Sequence, residues 1–128
     1  MKYENTLSHV LGIEITEVKA GRVTATMPVD DRTRQPAGLL HGGASVALAE
    51  TAASVGGTFM IDKETEAAVA GLEINANHIK PKRDGMVTAV AEIIHRGKST
   101  MLWEIKIKDE QEQLICISRC TLAIIRKR

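Results

Sequence analysis

Between His41 and Asp62 the chain carries one charged side chain, Glu50, in the middle of the run GGASVALAETAASVGGTFM. A lone carboxylate on an apolar segment is costly to bury, so it is paired, protonated or used in catalysis. The plainer alternative is that Glu50 sits on a wet strip of the segment or caps a polar group of a neighbouring subunit. Ser54 follows four residues on, and on a helix its hydroxyl shares a face with that carboxylate. Immediately before the run stands His41-Gly42-Gly43. Glycines let backbone amides approach a ligand closely, and a helix starting there offers unpaired N–H groups at the positive end of its dipole. Such a place can hold a developing oxyanion, although a flexible entry loop with a solvent-exposed histidine would read the same. Gln35, six residues ahead of His41, supplies a further amide donor from a loop.

Spacing limits how these groups can act together. Glu50 lies seven residues beyond Gly43, roughly 10 Å along a helix axis. A carboxylate attacking a carbonyl carbon and a donor holding its oxygen must each come within about 3 Å of the reacting atoms. One helix reaches both with difficulty, whereas two antiparallel helices in a dimer would each supply half. Further along, Asn75, Asn77 and His78 either face solvent or line a ligand channel, with Lys80, Lys82 and Arg83 directly after them. Arg96, Lys98 and Ser99 occupy a second basic loop; loop cations are usually only solvated, but clustered beside a site they suit phosphates. The four histidines and two cysteines lack the spacing of paired metal ligands, and neither a Walker A loop, a dinucleotide fingerprint nor a G-x-S-x-G elbow is present. The chemistry left standing is a carboxylate acting with amide donors on an acyl group.

The elements that would carry these residues follow from periodicity. Residues 13–18 and 22–29 read as two short strands about a Gly21 turn, since Val23, Ala25, Met27 and Val29 alternate with polar positions. A loop over 30–40 leads into a helix from Gly42 to about Met60, apolar around nearly its whole circumference and therefore expected to be buried. An acidic loop at 62–66 precedes four strand candidates, 68–79, 87–94, 100–108 and 114–125. Their short separators suit antiparallel neighbours joined by hairpins. The clearest alternation puts Met101, Trp103, Ile105 and Ile107 on a core face and Leu102, Glu104, Lys106 and Lys108 on a wetter one. The expected class is α+β, an antiparallel sheet with one long helix laid against it.

Composition narrows the function classes. A chain of 128 residues holds one domain, 1–128, and 44% hydrophobic with 26% charged residues is ordinary globular composition. Only Tyr3, Phe59 and Trp103 are aromatic, so a light Ala, Val, Ile and Leu core invites a second subunit to finish burying apolar surface. A net charge of +1 provides no global field for nucleic acid or anionic lipid, and so few aromatics leave no stacking platform for single strands. Neither a signal-peptide pattern nor a spanning apolar run is present, so a cytoplasmic location and no membrane partner are expected. Cys116 and Cys120, four apart on one strand, stand roughly 13 Å from each other and are expected to be reduced core residues.

Taken together, Gln35, HGGASVALAETAAS over 41–54, GLEINANHIKP over 71–81 and HRGKSTMLWEI over 95–105 resemble the hotdog-fold acyl-CoA thioesterases. The subgroup is that of the hydroxybenzoyl-CoA, menaquinone-pathway (1,4-dihydroxy-2-naphthoyl-CoA) and enterobactin-pathway enzymes. Its relatives of the phenylacetate type carry Asp where this chain has Glu50. The resemblance implies an antiparallel sheet wrapped around one long helix, dimers often paired into tetramers, and active sites at the dimer interface. It further implies Glu50 as nucleophile or general base, the Gly42 amide polarising the carbonyl from the partner subunit, Gln35 and His41 assisting, and Ser54 orienting water or carboxylate. Asn77, His78, Arg96, Gly97, Lys98 and Ser99 match segments that hold CoA in relatives. The expected reaction is hydrolysis of an aromatic or medium-size acyl-CoA to free acid and CoA, with no metal and no cofactor. The alternatives are a non-catalytic acyl-CoA sensor or a dehydratase or isomerase on the same fold.

Overall fold

Alternating and helical patterns resolve into eight elements in the computed structural model, which describes residues 4–128; Tyr3 lies outside them. In chain order they are α1 (Leu7–Leu11), β1 (Glu14–Lys19), β2 (Arg22–Pro28), α2 (Gly42–Met60), β3 (Glu66–His78), β4 (Met86–Arg96), β5 (Thr100–Lys108) and β6 (Leu114–Arg126). The strands form one antiparallel sheet in the order β1-β2-β4-β5-β6-β3, with α2 laid across it. This is the hotdog architecture expected from the sequence.

Two features differ from the sequence reading. The short α1 was not anticipated: Thr6 caps it by accepting from His9 N–H, and Gly12 at φ +75° ends it. Its five residues are too few for periodicity to show, and Leu7 and Val10 are exposed. The second difference is a correction. β3 and β4 are not hairpin neighbours; β3 lies at the far edge beside β6, three strands away from β4. Seven residues, 79–85, connect them, and an extended chain of that length covers about 23 Å against roughly 14 Å for three strand spacings. A short separator therefore permits a crossing as well as a hairpin. The crossing segment is tied down where Leu40 N–H donates to Lys82 O (2.7 Å) and Val29 N–H to Gly85 O (2.8 Å).

The helix is buried on one side only. Ala44, Ser45, Leu48, Ala49, Ala52, Ala53, Gly56 and Gly57 face the sheet, while Glu50, Ser54 and Val55 are half-buried and Phe59 is 57% exposed. Expected burial all round is thus met on the sheet side, and the other flank is left open by this chain. Small residues on the sheet side let the helix sit low. A Cβ at Gly56 would come within 2.9 Å of the Trp103 ring, and one at Gly57 within 2.6 Å of Leu122 Cδ1. Met101, Trp103, Ile105 and Ile107 are fully buried beneath it, as their alternation predicts. Cys116 and Cys120 are buried and unbridged. Among the described residues no helix is long and apolar enough to cross a membrane.

A bulge in β3 decides which of its residues face the helix. Buried Cys116, Cys120, Leu122 and Ile124 of β6 stand opposite His78, Ile74, Gly71 and Val69, so the helix-facing set changes from odd to even numbers between Gly71 and Glu73. Leu72 is the extra residue and is 63% exposed. Bulges shift pairing by one position and re-aim everything that follows.

The close seat of α2 predicts the sign of one substitution. Gly56→Ala at an open helix position would stabilise by about 1 kcal/mol through helix propensity. Here the added methyl meets the Trp103 ring, and overpacking of this kind costs about 1–3 kcal/mol. Chemical denaturation should show a destabilised variant; a stabilised one would mean that the helix does not rest on Trp103.

Candidate active site

The loop over 30–40 is shaped by its own polar groups. The buried Thr33 hydroxyl donates to Pro28 O (2.8 Å) and accepts from Asp30 N–H (3.1 Å), and His41 N–H donates to Thr33 O (2.8 Å). Gln35 heads a tight turn in which its N–H donates to Leu39 O and its side-chain Oε1 accepts from Ala37 N–H. With Oε1 engaged, the Gln35 side-chain NH2 remains as the donor.

At the start of α2 the hydrogen-bond inventory singles out one amide. Ala44 and Ser45 N–H donate to His41 O (3.0 and 3.3 Å), and Gly43 N–H donates to His41 Nδ1 (2.8 Å). Gly42 N–H has no acceptor among the described residues. Gly42 lines a cleft of about 340 Å³ together with Gln35, Leu40, Ser45, His78 and Lys82. His78 from β3 closes over it, with Nε2 only 2.7 Å from where a Gly42 Cβ would stand. The absence of a side chain at Gly42 is what lets a second group approach that amide. His41 itself points away, lining a separate apolar depression with Leu7 and Leu11.

Glu50 lies eight residues farther along the same helix, about 12 Å from Gly42. Its carboxylate rests against the bare backbone of Gly71, where a Cβ would come 3.3 Å from Glu50 Cδ and overlap Oε2. Among the described residues no donor or cation pairs with it, and no hydrogen bond joins it to Ser54, one turn on. Burial, with the charges of Glu50 and Glu73 nearby, pushes the Cys120 thiol up to about 11.

The sequence-predicted ligand residues fall into two groups. His78 faces the Gly42 cleft, while Asn77 is exposed on the opposite face of β3. Arg96, Gly97, Lys98 and Ser99 sit at the other end of the sheet, beside the first residue of β3. There Arg96 Nη2 donates to both oxygens of Glu66 (2.8 and 3.0 Å), and Arg126 Nη2 donates to Lys98 O (2.5 Å). Glu66, placed by sequence in an acidic loop, is instead a buried strand residue, 3% exposed. The Asp62 N–H and the Arg96 guanidinium hold its carboxyl below the usual range. β3 spans twelve steps between Glu66 and His78, about 40 Å, so one chain cannot apply both groups to one small ligand portion. Sequence reasoning missed Glu66, whose only signal is an acid aligned with two arginines that adjoin it in the fold alone. Gly71 was likewise missed, a glycine inside a strand pattern being the available sign.

Comparison with known proteins places this geometry. The model of the thioesterase superfamily matches residues 37–116. The Bacillus subtilis protein ComA2 is 61% identical over 127 residues, covering 99% of this chain and 100% of its own. A 1,4-dihydroxy-2-naphthoyl-CoA hydrolase of Listeria monocytogenes is 54% identical over 122 residues, 95% of this chain and 98% of that one. The crystal structure of a thioesterase from Haemophilus influenzae superposes with a TM-score of 0.91 at 47% identity, covering 97% of this chain and 85% of that one.

At the cleft's rim the Lys82 ammonium pairs with Glu110 (2.6 Å), and Met86 N–H donates to the same carboxylate (3.0 Å). These bonds, with one from its own backbone, hold the Glu110 carboxyl down to about 2 from 4.5. A depressed acid contributes stability above its unfolded value and loses that contribution as pH falls toward the folded one. The stability gap between wild type and Glu110→Gln should therefore be full above about pH 4.5 and vanish near pH 2, as measured by denaturation at stepped pH. A gap independent of pH would mean that the ion pair does not hold the crossing segment.

Proposed function

The chain belongs to the thioesterase superfamily, and on that premise we propose that it hydrolyses an aromatic acyl-CoA thioester to the free acid and CoA. One observation carries the reading: in the first turn of α2, Gly42 N–H alone is left unpartnered, and Gly42 lines a cleft shared with Gln35 and His78. A thioester oxygen placed there would be polarised by Gly42 N–H and by the Gln35 amide, at the positive end of the helix dipole. His41 contributes by accepting from Gly43 N–H, which fixes the turn that presents Gly42.

Glu50 supplies the carboxylate. It either removes a proton from a water that attacks the acyl carbon, or attacks that carbon itself, breaking the C–S bond and leaving an acyl-glutamyl anhydride that water then opens. In both routes the sulfur departs as thiolate and is protonated to free CoA; neither needs a metal or cofactor. Ser54, one helical turn from Glu50, is the proposed residue for orienting the water or the carboxylate. The aromatic acyl group is the one named in the Listeria monocytogenes hydrolase and in an Escherichia coli hydrolase of the same name, 47% identical over 122 residues.

The separation of Glu50 from Gly42 supports a reading in which they act from opposite chains of a dimer. β3 is a long edge strand with exposed Leu72, exposed Ile79 follows it, and among the described residues the strand pairs only with β6. Such an edge is an open template for another strand. Antiparallel pairing of β3 with its copy would set the His78 end of one chain beside the Arg96–Ser99 end of the other, and one α2 beside the other. His78 of one chain and Arg96, Gly97, Lys98 and Ser99 of the other would then converge on CoA, while Asn77, on the opposite face of β3, stays outside that group. Two such dimers joined would make a tetramer.

Thiol release from a panel of acyl-CoAs should be fastest with aromatic acyl groups, and Glu50→Gln should lower kcat about 10²- to 10⁴-fold. Near wild-type turnover in that variant would end the proposal. Shared sites predict complementation: Glu50→Gln chains mixed with inactive Gln35→Ala chains regain activity in hybrid dimers, because one site of each hybrid then has both groups intact. No recovery on mixing would place each site within one chain.

A further inference from the structure

We propose that Gly71 is a positioning residue for Glu50, its missing side chain making the recess in which the carboxylate is held; this rests on Glu50 being the catalytic acid. The Glu50 carboxylate lies against the Gly71 backbone, closely enough that a Cβ would overlap Oε2 and stand 3.3 Å from Cδ. Gly71 stands at the start of the bulge, where strands often use glycine, but its backbone does not require one. The left-handed glycines among the described residues are Gly12, Gly21, Gly38 and Gly85, so Gly71 has backbone angles that any residue adopts. The other β3 positions opposite buried β6 residues carry side chains: Val69, Ile74, Ala76 and His78. Glycine within a strand weakens it, and a strand at the sheet edge has most to lose. The omission is thus confined to the place where α2 presents its only charge.

The bulge explains how one strand serves both ends of the site. Val69 and Gly71 face the helix before Leu72, and Ile74 and His78 face it afterwards. Without the extra residue, a strand that laid Gly71 on Glu50 would aim Asn77 rather than His78 at Gly42. Gly71 is therefore the last odd-numbered position facing α2. The carboxylate beside it has a strand backbone along one side and no hydrogen bond to hold it. Its placement depends on shape rather than on a partner.

The test is Gly71→Ala, a change the backbone accepts and which displaces only the end of one flexible side chain. The thermal midpoint should be unchanged or raised and KM should change little, while kcat falls on the order of 10²-fold for a carboxylate displaced by about 1 Å. In the Glu50→Asp background the side chain is one methylene shorter and stops short of the strand, so adding Gly71→Ala should cost little there. A double-mutant cycle reads this as strong coupling. Wild-type kcat in Gly71→Ala, or an equal loss in both backgrounds, would overturn the positioning role. Glu50→Gln separates the two ideas: if it is inactive while Gly71→Ala is fully active, only the role of Gly71 falls, whereas an active Glu50→Gln removes the catalytic reading itself.

Discussion

Helix α2 lies as close to the sheet as it does because its sheet-facing side is made of Ala, Ser and Gly, with Leu48 the one large exception. At Gly56 the Trp103 ring fills the space a side chain would need, and at Gly57 Leu122 does so. That seat sets how far every other helix residue reaches. Glu50 touches the backbone of β3 instead of standing above it, and Gly42 lies beneath the imidazole of His78. A helix held higher by Leu or Val at these positions would withdraw both groups from the strand. The scarcity of aromatics in the composition is in part the same fact: a tight helix–sheet layer has room for one large ring, and Trp103 takes it.

Hydrogen bonding at the head of the helix complements that steric constraint. Every helix begins with amides that lack partners, and here His41 provides for three of them through its carbonyl and Nδ1. Gly42 N–H is left, and Gly42 lines the cleft it shares with Gln35 and His78. Thr33, Gln35 and the crossing segment at Lys82 fix the loop that presents it, each through hydrogen bonds with neighbours rather than through a deep core. Polar bonding therefore shapes the loop at Gly42, whereas the Glu50 carboxylate is set by its packing against Gly71.

Gly42 and Glu50 lie on one helix, and the two basic groups lie at opposite ends of one long edge strand. Neither separation can be closed inside one helix or one strand, since α2 runs 19 residues and β3 runs 13. In the proposed dimer an antiparallel copy would close both at once, through the unpaired edge of β3 and the open flank of α2. Glu66 contributes at the far end by gathering Arg96 directly and Arg126 nearby (3.6 Å), so the turn over 97–99 is anchored although its side chains are exposed.

Much of this was written in residue type and period. The alternation in β5, the Ala- and Gly-rich helix and the solitary Glu50 are local patterns, and local patterns survive whatever the chain does elsewhere; the HGG start and the capacity of its amides follow for the same reason. What the sequence could not decide is which strand lies beside which, because a seven-residue connection fits a hairpin and a crossing equally well. Nor could it say which face of β3 meets the helix: one bulge at Leu72 reverses the alternation, sending His78 inward and Asn77 outward. Gly71 and Glu66 acquire meaning only from partners 21 and more residues away. Pairing, register and contact are long-range quantities, and only the folded sheet with the helix seated on it determines them.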